Sequence, residues 1–138
     1  MKSILLALTL AVLVPCASRA AELSAPQKAD LDAYGKVRGA LVAMDLARAK
    51  AAATASASVV LPGNQAAVGE LAASPDMKEA RKAFRKWSDA LIPVAKGQPG
   101  YFIAHCPMVK ANWVQTDEKI TNPFAGDSMP ACGVIVKP

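Results

Sequence analysis

The chain has 138 residues, of which 53% are hydrophobic, only 5% are aromatic and 20% are charged, with a formal net charge of +5. That length suits one domain, and a modest, dispersed positive charge argues against nucleic acid as a partner. Much of the hydrophobicity is alanine and an apolar N-terminus, so the remaining core is small and favours closely packed helices.

The first segment reads as an export signal. Lys2 supplies a short positive start, Ile4 to Val14 is an almost unbroken apolar run too short to span a bilayer comfortably, and Ser18-Arg19-Ala20 offers small residues around a cleavage site. Cleavage after Ala20 is expected, making residues 1–20 a signal peptide and 21–138 a single helical domain in the periplasm, with no transmembrane segment left. Lipid anchoring at Cys16 is disfavoured, because Pro15 stands where a lipidation site wants a small, flexible residue. Loss of Lys2, Arg19 and Cys16 lowers the net charge from +5 to +3 and leaves two of three cysteines, Cys106 and Cys132.

A helix over about 25–57 is predicted next. Ser24, Pro26 and Gln27 form a capping signature, and Leu31, Tyr34, Val37, Leu41, Met44 and Ala51 recur at helical spacing. Gly35 is a place for a kink, and Asp45, beside the stripe, is expected to pair with a nearby Arg or Lys. Pro62-Gly63-Asn64 ends the segment. A shorter helix is predicted over 65–73, and a third over 75–95, with Ser74 as cap, Pro75 in the first turn and Asp76 facing the dipole. Met77, Ala80, Phe84, Trp87, Leu91 and Val94 form its apolar stripe, while Lys78, Arg81, Lys82, Arg85 and Lys86 read as a solvated basic face. Pro93 ends or kinks this helix, and Gly97 to Gly100 break it.

Helical periodicity then stops. Tyr101 to Ile103, Trp113-Val114 and Gly133 to Val136 read as short strands in an irregular cap over about 100–138. The fold expected is mainly α, a three- to four-helix bundle carrying that cap. Trp113 is expected to plug the space between cap and helices, and Asn122-Pro123 to make a turn whose amide bonds nearby backbone.

The unusual chemistry lies in the cap. His105-Cys106-Pro107-Met108 stands at one end and Ser128-Met129-Pro130-Ala131-Cys132-Gly133 at the other, so each cysteine has a methionine two or three residues away. Thiolate and thioether together suit Cu(I) or Ag(I) far better than Zn(II), Mg(II) or Ca(II), and the imidazole of His105 is compatible with copper. Two cysteines in a small exported domain are also often a structural disulfide, whose loop closure is worth about 3 kcal/mol. On spacing alone the disulfide is the commoner arrangement, and Met108 and Met129 also suit gaps in a core.

An enzyme finds no support: no nucleophile has a His/acid context, and Asp117 and Glu118 read as a solvated turn. Nor is there a CxxCH for haem or a glycine-rich loop for a nucleotide.

A wider set of residues falls in the order of a known domain: Tyr34, Ala40 to Ala47, Lys50-Ala51, Ala80 to Phe84, Ser88, Cys106-Pro107-Met108, Trp113-Val114-Gln115, Ile120, Asn122-Pro123-Phe124, Gly126, Met129 and Cys132-Gly133. The chain resembles a bacterial family catalogued only as a domain of unknown function. That family occurs alone in exported proteins and as an extra domain on periplasmic adaptor subunits of copper- and silver-type efflux pumps. Phe124 replaces the usual tyrosine, Pro130 replaces an apolar residue, and His105 lies outside the pattern. The resemblance implies metal handling, with an efflux adaptor or other envelope protein as partner, and the paired Cys/Met segments make Cys106, Met108, Met129 and Cys132 the expected ligands. The alternative is a non-enzymatic interaction module, stapled by Cys106–Cys132, that docks on such a component.

Overall fold

The structure, a computed structural model, describes residues 21–136; the segment expected to be an export signal, with Cys16, lies outside them. The described chain is mainly helical: α1 (Ala25–Val42), α2 (Leu46–Ser56), α3 (Gln65–Ala73) and α4 (Met77–Ala95), then the strands β1 (Phe102–Cys106), β2 (Ala111–Gln115) and β3 (Val134–Val136). No helix among these residues is long and apolar enough to cross a membrane.

The capping box at Ser24 and Gln27 starts α1, and the helix continues across Gly35 to Val42. The long helix expected over 25–57 is divided in two. Met44 adopts a left-handed backbone with φ 58°, and Asp45 follows in extended conformation, its carboxylate accepting from the Arg48 backbone N–H at 2.9 Å. Asp45 is therefore a helix cap, not an ion-pair partner. The break also resets the buried face: Met44 and Ala51 are exposed, and α2 turns Ala49, Ala53 and Ser56 inward. Small residues on that face let α2 pack closely on α1 and α3.

The third helix starts two residues later than expected. Asp76, not Ser74, caps α4 by accepting from Glu79 N–H at 2.9 Å. Ser74 instead closes α3, its hydroxyl donating to the Glu70 carbonyl. Pro93 does not stop α4, which runs on to Ala95; the carbonyl it leaves without an N–H partner lies on Asp89, an exposed residue.

The cap is more regular than expected. Its strands form an antiparallel sheet in the order β2-β1-β3. Cys106 pairs with Ala111 across a four-residue hairpin loop, and Ile103, Ala104 and His105 pair with Val136, Ile135 and Val134. One hydrophobic cluster unites helices and cap. Tyr34 stacks on Phe84 at 4.5 Å between centroids, Trp87 meets both edge-on, and Phe124 bridges from Phe84 to Trp113. Trp113 is fully buried, the plug its sequence context predicts.

A polar lock sits inside this core. Asp30 is fully buried, and its carboxylate accepts from Leu61 N–H, Asn64 Nδ2 and Trp87 Nε1 at 3.0, 2.6 and 2.9 Å. Tyr34 and Ser88 hydroxyls share a 2.7 Å bond, and Val114 N–H donates to the tyrosine oxygen. Burial, partly offset by these bonds, pushes the Tyr34 hydroxyl pKa well above its ordinary value.

Candidate metal centre

Cys106 ends β1 on the same face of the sheet as Ala104, and both are fully buried. The chain then turns back through Pro107-Met108-Val109-Lys110, with Lys110 in left-handed conformation at φ 50°. The backbone N–H groups of Val109 and Met108 lie close to the Cys106 sulfur. The carbonyls of Val109 and Lys110 accept from Arg85 of α4 at 2.9 and 3.1 Å. The guanidinium thus ties the loop that carries Met108 to α4.

Cys132 arrives from the far end of the cap. The Cys106 and Cys132 side chains are neighbours, and both are free thiols. The Met108 backbone lies close to the Cys132 sulfur as well. The approach depends on the following glycine. Gly133 has φ 146°, and a Cβ there would stand 2.8 Å from the Trp113 ring and 3.1 Å from the His105 carbonyl. A side chain at 133 would push the Cys132 loop off the sheet.

Asn122 holds the two segments together. Its Nδ2 donates to the Cys132 carbonyl at 2.8 Å, its Oδ1 accepts from Phe124 N–H at 2.8 Å, and the amide lies near the Cys106 thiol. Its own N–H donates to the Pro130 carbonyl at 2.8 Å. The turn expected at Asn122-Pro123 is present, and its amide bonds backbone as expected.

These contacts split the two thiols electrostatically. Burial alone would raise Cys106, but hydrogen bonds from Cys132, Val109, Met108 and Asn122 outweigh it, so its pKa falls below that of an ordinary thiol. Cys132 moves upward, first because its hydrogen bond with Cys106 favours the thiol form, then because of burial.

The remaining sequence candidates are distributed unevenly. Met108 sits on the hairpin loop with its side chain 69% exposed. Met129 follows the short 3-10 turn Gly126–Ser128, half-buried, and its carbonyl accepts from Cys132 N–H at 3.1 Å. His105 is not brought to the sulfurs. As the neighbour of Cys106 on one strand it faces the opposite side of the sheet, where Nδ1 bonds to Asn112 Oδ1 at 2.7 Å. Asp117 and Glu118 are exposed, as expected.

The basic face of α4 is only partly solvated. Lys86 pairs with Glu70 at 2.6 Å and Lys82 with Glu79 at 3.4 Å. Arg81, however, donates to the Pro123 carbonyl at 3.0 Å, and Arg85 reaches the hairpin and lies over the Phe124 ring. Arg38 of α1 does the same at Thr121, at 3.0 Å to its carbonyl and 2.7 Å to its hydroxyl. Sequence reading misses these three clamps because exposed and clamping arginines look alike in a helical repeat. Asp30 is also missed, although an acid one turn before Tyr34 on the apolar stripe marks a buried carboxylate.

Among the described residues, no group of three or more His, Cys, Asp and Glu converges to make a cage for a hard or borderline ion. Two thiols with thioethers on their flanking loops fit a soft monovalent ion of low coordination number. Comparison with protein-family models, with curated proteins and with solved structures returns no match for this chain.

Proposed function

We propose that this is an exported soft-metal binding protein that takes up Cu(I) or Ag(I) between Cys106 and Cys132 and serves as carrier, buffer or accessory module in metal resistance or efflux. The observation that carries the reading is the contact between the two thiols in a pocket of hydrogen-bond donors. A metal replaces the thiol protons; the N–H groups and the Asn122 amide that already face sulfur then stabilise the thiolates it leaves. Met129, half-buried beside the pair, supplies a flanking thioether, and the placement of His105 across the sheet favours a ligand set of sulfur alone. No catalytic role is assigned.

Anaerobic titration of the reduced protein with Cu(I), against a chromophoric chelator, tests this reading. One tightly held Cu(I) per chain is expected, lost in both Cys106→Ser and Cys132→Ser. Retention of that affinity in either variant would sink it. The same thiol contact also supports the rival reading, a disulfide-stapled interaction module docking on an envelope efflux component. Intact mass after alkylation, on protein taken directly from the periplasm, separates the two, since a fully oxidised population that stays metal-free in added copper belongs to the rival.

A further inference from the structure

The three sulfurs nearest the hairpin differ sharply in exposure. Cys106 is fully buried, Cys132 is half-buried, and Met108 is 69% exposed. Yet Met108 is two residues from Cys106 on the hairpin loop and close to both cysteine sulfurs, while Met108 itself is mostly in solvent. The next two carbonyls of the loop, those of Val109 and Lys110, are held by Arg85. Side-chain motion alone can therefore carry the Met108 sulfur to the pair. Three rotatable bonds let its sulfur swing over the pair without moving the backbone, and an exposed side chain changes rotamer on a picosecond to nanosecond scale.

Resting on the soft-metal reading above, we infer that Met108 is an exchange ligand, absent from the resting site and used only while metal enters or leaves. Cys106 is the anchor, and Cys132 is the ligand that is replaced. In the exchange step the lone pair of Met108 Sδ forms a new bond to Cu(I). The Cu–Cys132 bond breaks, and Cys132 leaves with its electron pair as thiolate and takes a proton from solvent. Copper remains Cu(I) throughout. A soft donor of the acceptor then adds from the solvent side and displaces Met108, whose neutral thioether is a weaker donor than either thiolate, before Cys106 lets go. The acceptor this fits presents thiolate or thioether sulfur and approaches over the hairpin loop, where Met108 is exposed.

Stopped-flow transfer of Cu(I) from the reduced protein to bathocuproine disulfonate tests the step, with Met108→Leu, which keeps the side-chain bulk and removes the sulfur. The expected result is a Cu(I) affinity within about threefold of the parent and a transfer rate lower by about tenfold or more. An unchanged transfer rate overturns the proposal. So does an affinity that falls as far as the rate, which would make Met108 a resting ligand. Cys106→Ser keeps the two failures apart. If that variant binds Cu(I) as the parent does, the metal reading itself is wrong, whereas a Cys106-dependent site with parental exchange in Met108→Leu removes only the exchange role.

Discussion

The helices and the C-terminal cap are both packed on one core, but different forces keep them in place. Helix backbone groups bond within their own segment, so the helices need only bury one face, and α1 and α4 do so with Leu41, Val37, Phe84, Trp87 and Leu91, all inaccessible to solvent. The cap between β2 and β3 has little regular backbone bonding. Its carbonyls are taken up by side chains: Thr121 by Arg38, Pro123 by Arg81, Cys132 by Asn122, and Asp117 and Lys119 by Gln115. Among the described residues no buried side-chain polar atom lacks a partner. Irregular chain near a core is tolerable only on that condition, and the sulfur pair sits where those bonds converge.

The largest test of this contrast is a deletion in the helical core. Leu41→Ala is expected to cost about 2–5 kcal/mol, lowering the urea midpoint with little change in slope, with helices and cap lost together. A loss well under that range would mean that the helices hold without their apolar face. Next, Asn122→Ala strips the Cys132 carbonyl and Phe124 N–H of partners and is expected to cost about 1–3 kcal/mol. Hydrogen exchange should rise first at residues 122–133, with the helix cores protected as before, and Cys132 should alkylate faster. Equal exposure of the helices would show that cap and helices open as one unit. The smallest effect is expected at the α1–α2 break, where Asp45→Ala removes one cap bond and should cost about 1 kcal/mol, read as a small fall in thermal midpoint. A null result there would assign the break to packing of α2 on α1 instead of to the cap.

Legibility follows the same division. The stripe from Met77 to Leu91 predicts α4 closely, because a helix is encoded by neighbours three and four residues apart. The same rule fails at Met44, where a local cap signal at Asp45 competes with an alanine-rich run that suits a helix on either side. The paired Cys/Met segments are visible as a pattern, yet nothing in their spacing tells His105 from Cys106. One residue of strand alternation separates them onto opposite faces.

By itself, then, the sequence determined a mainly helical chain with a strand-bearing C-terminus, the capping of α1, the burial of Trp113, the turn at Asn122 and the concentration of sulfur in the cap. These rest on local periodicity and on residue types whose conformational preferences act within a few positions. Only the tertiary structure decided that Cys106 and Cys132 touch, that Gly133 and Asn122 make the contact possible, that Arg38, Arg81 and Arg85 clamp the cap, and that Met108 stays in solvent. Each of these joins segments far apart in the chain or sets one residue's exposure, and both are fixed by packing around a shared core instead of by any residue's near neighbours.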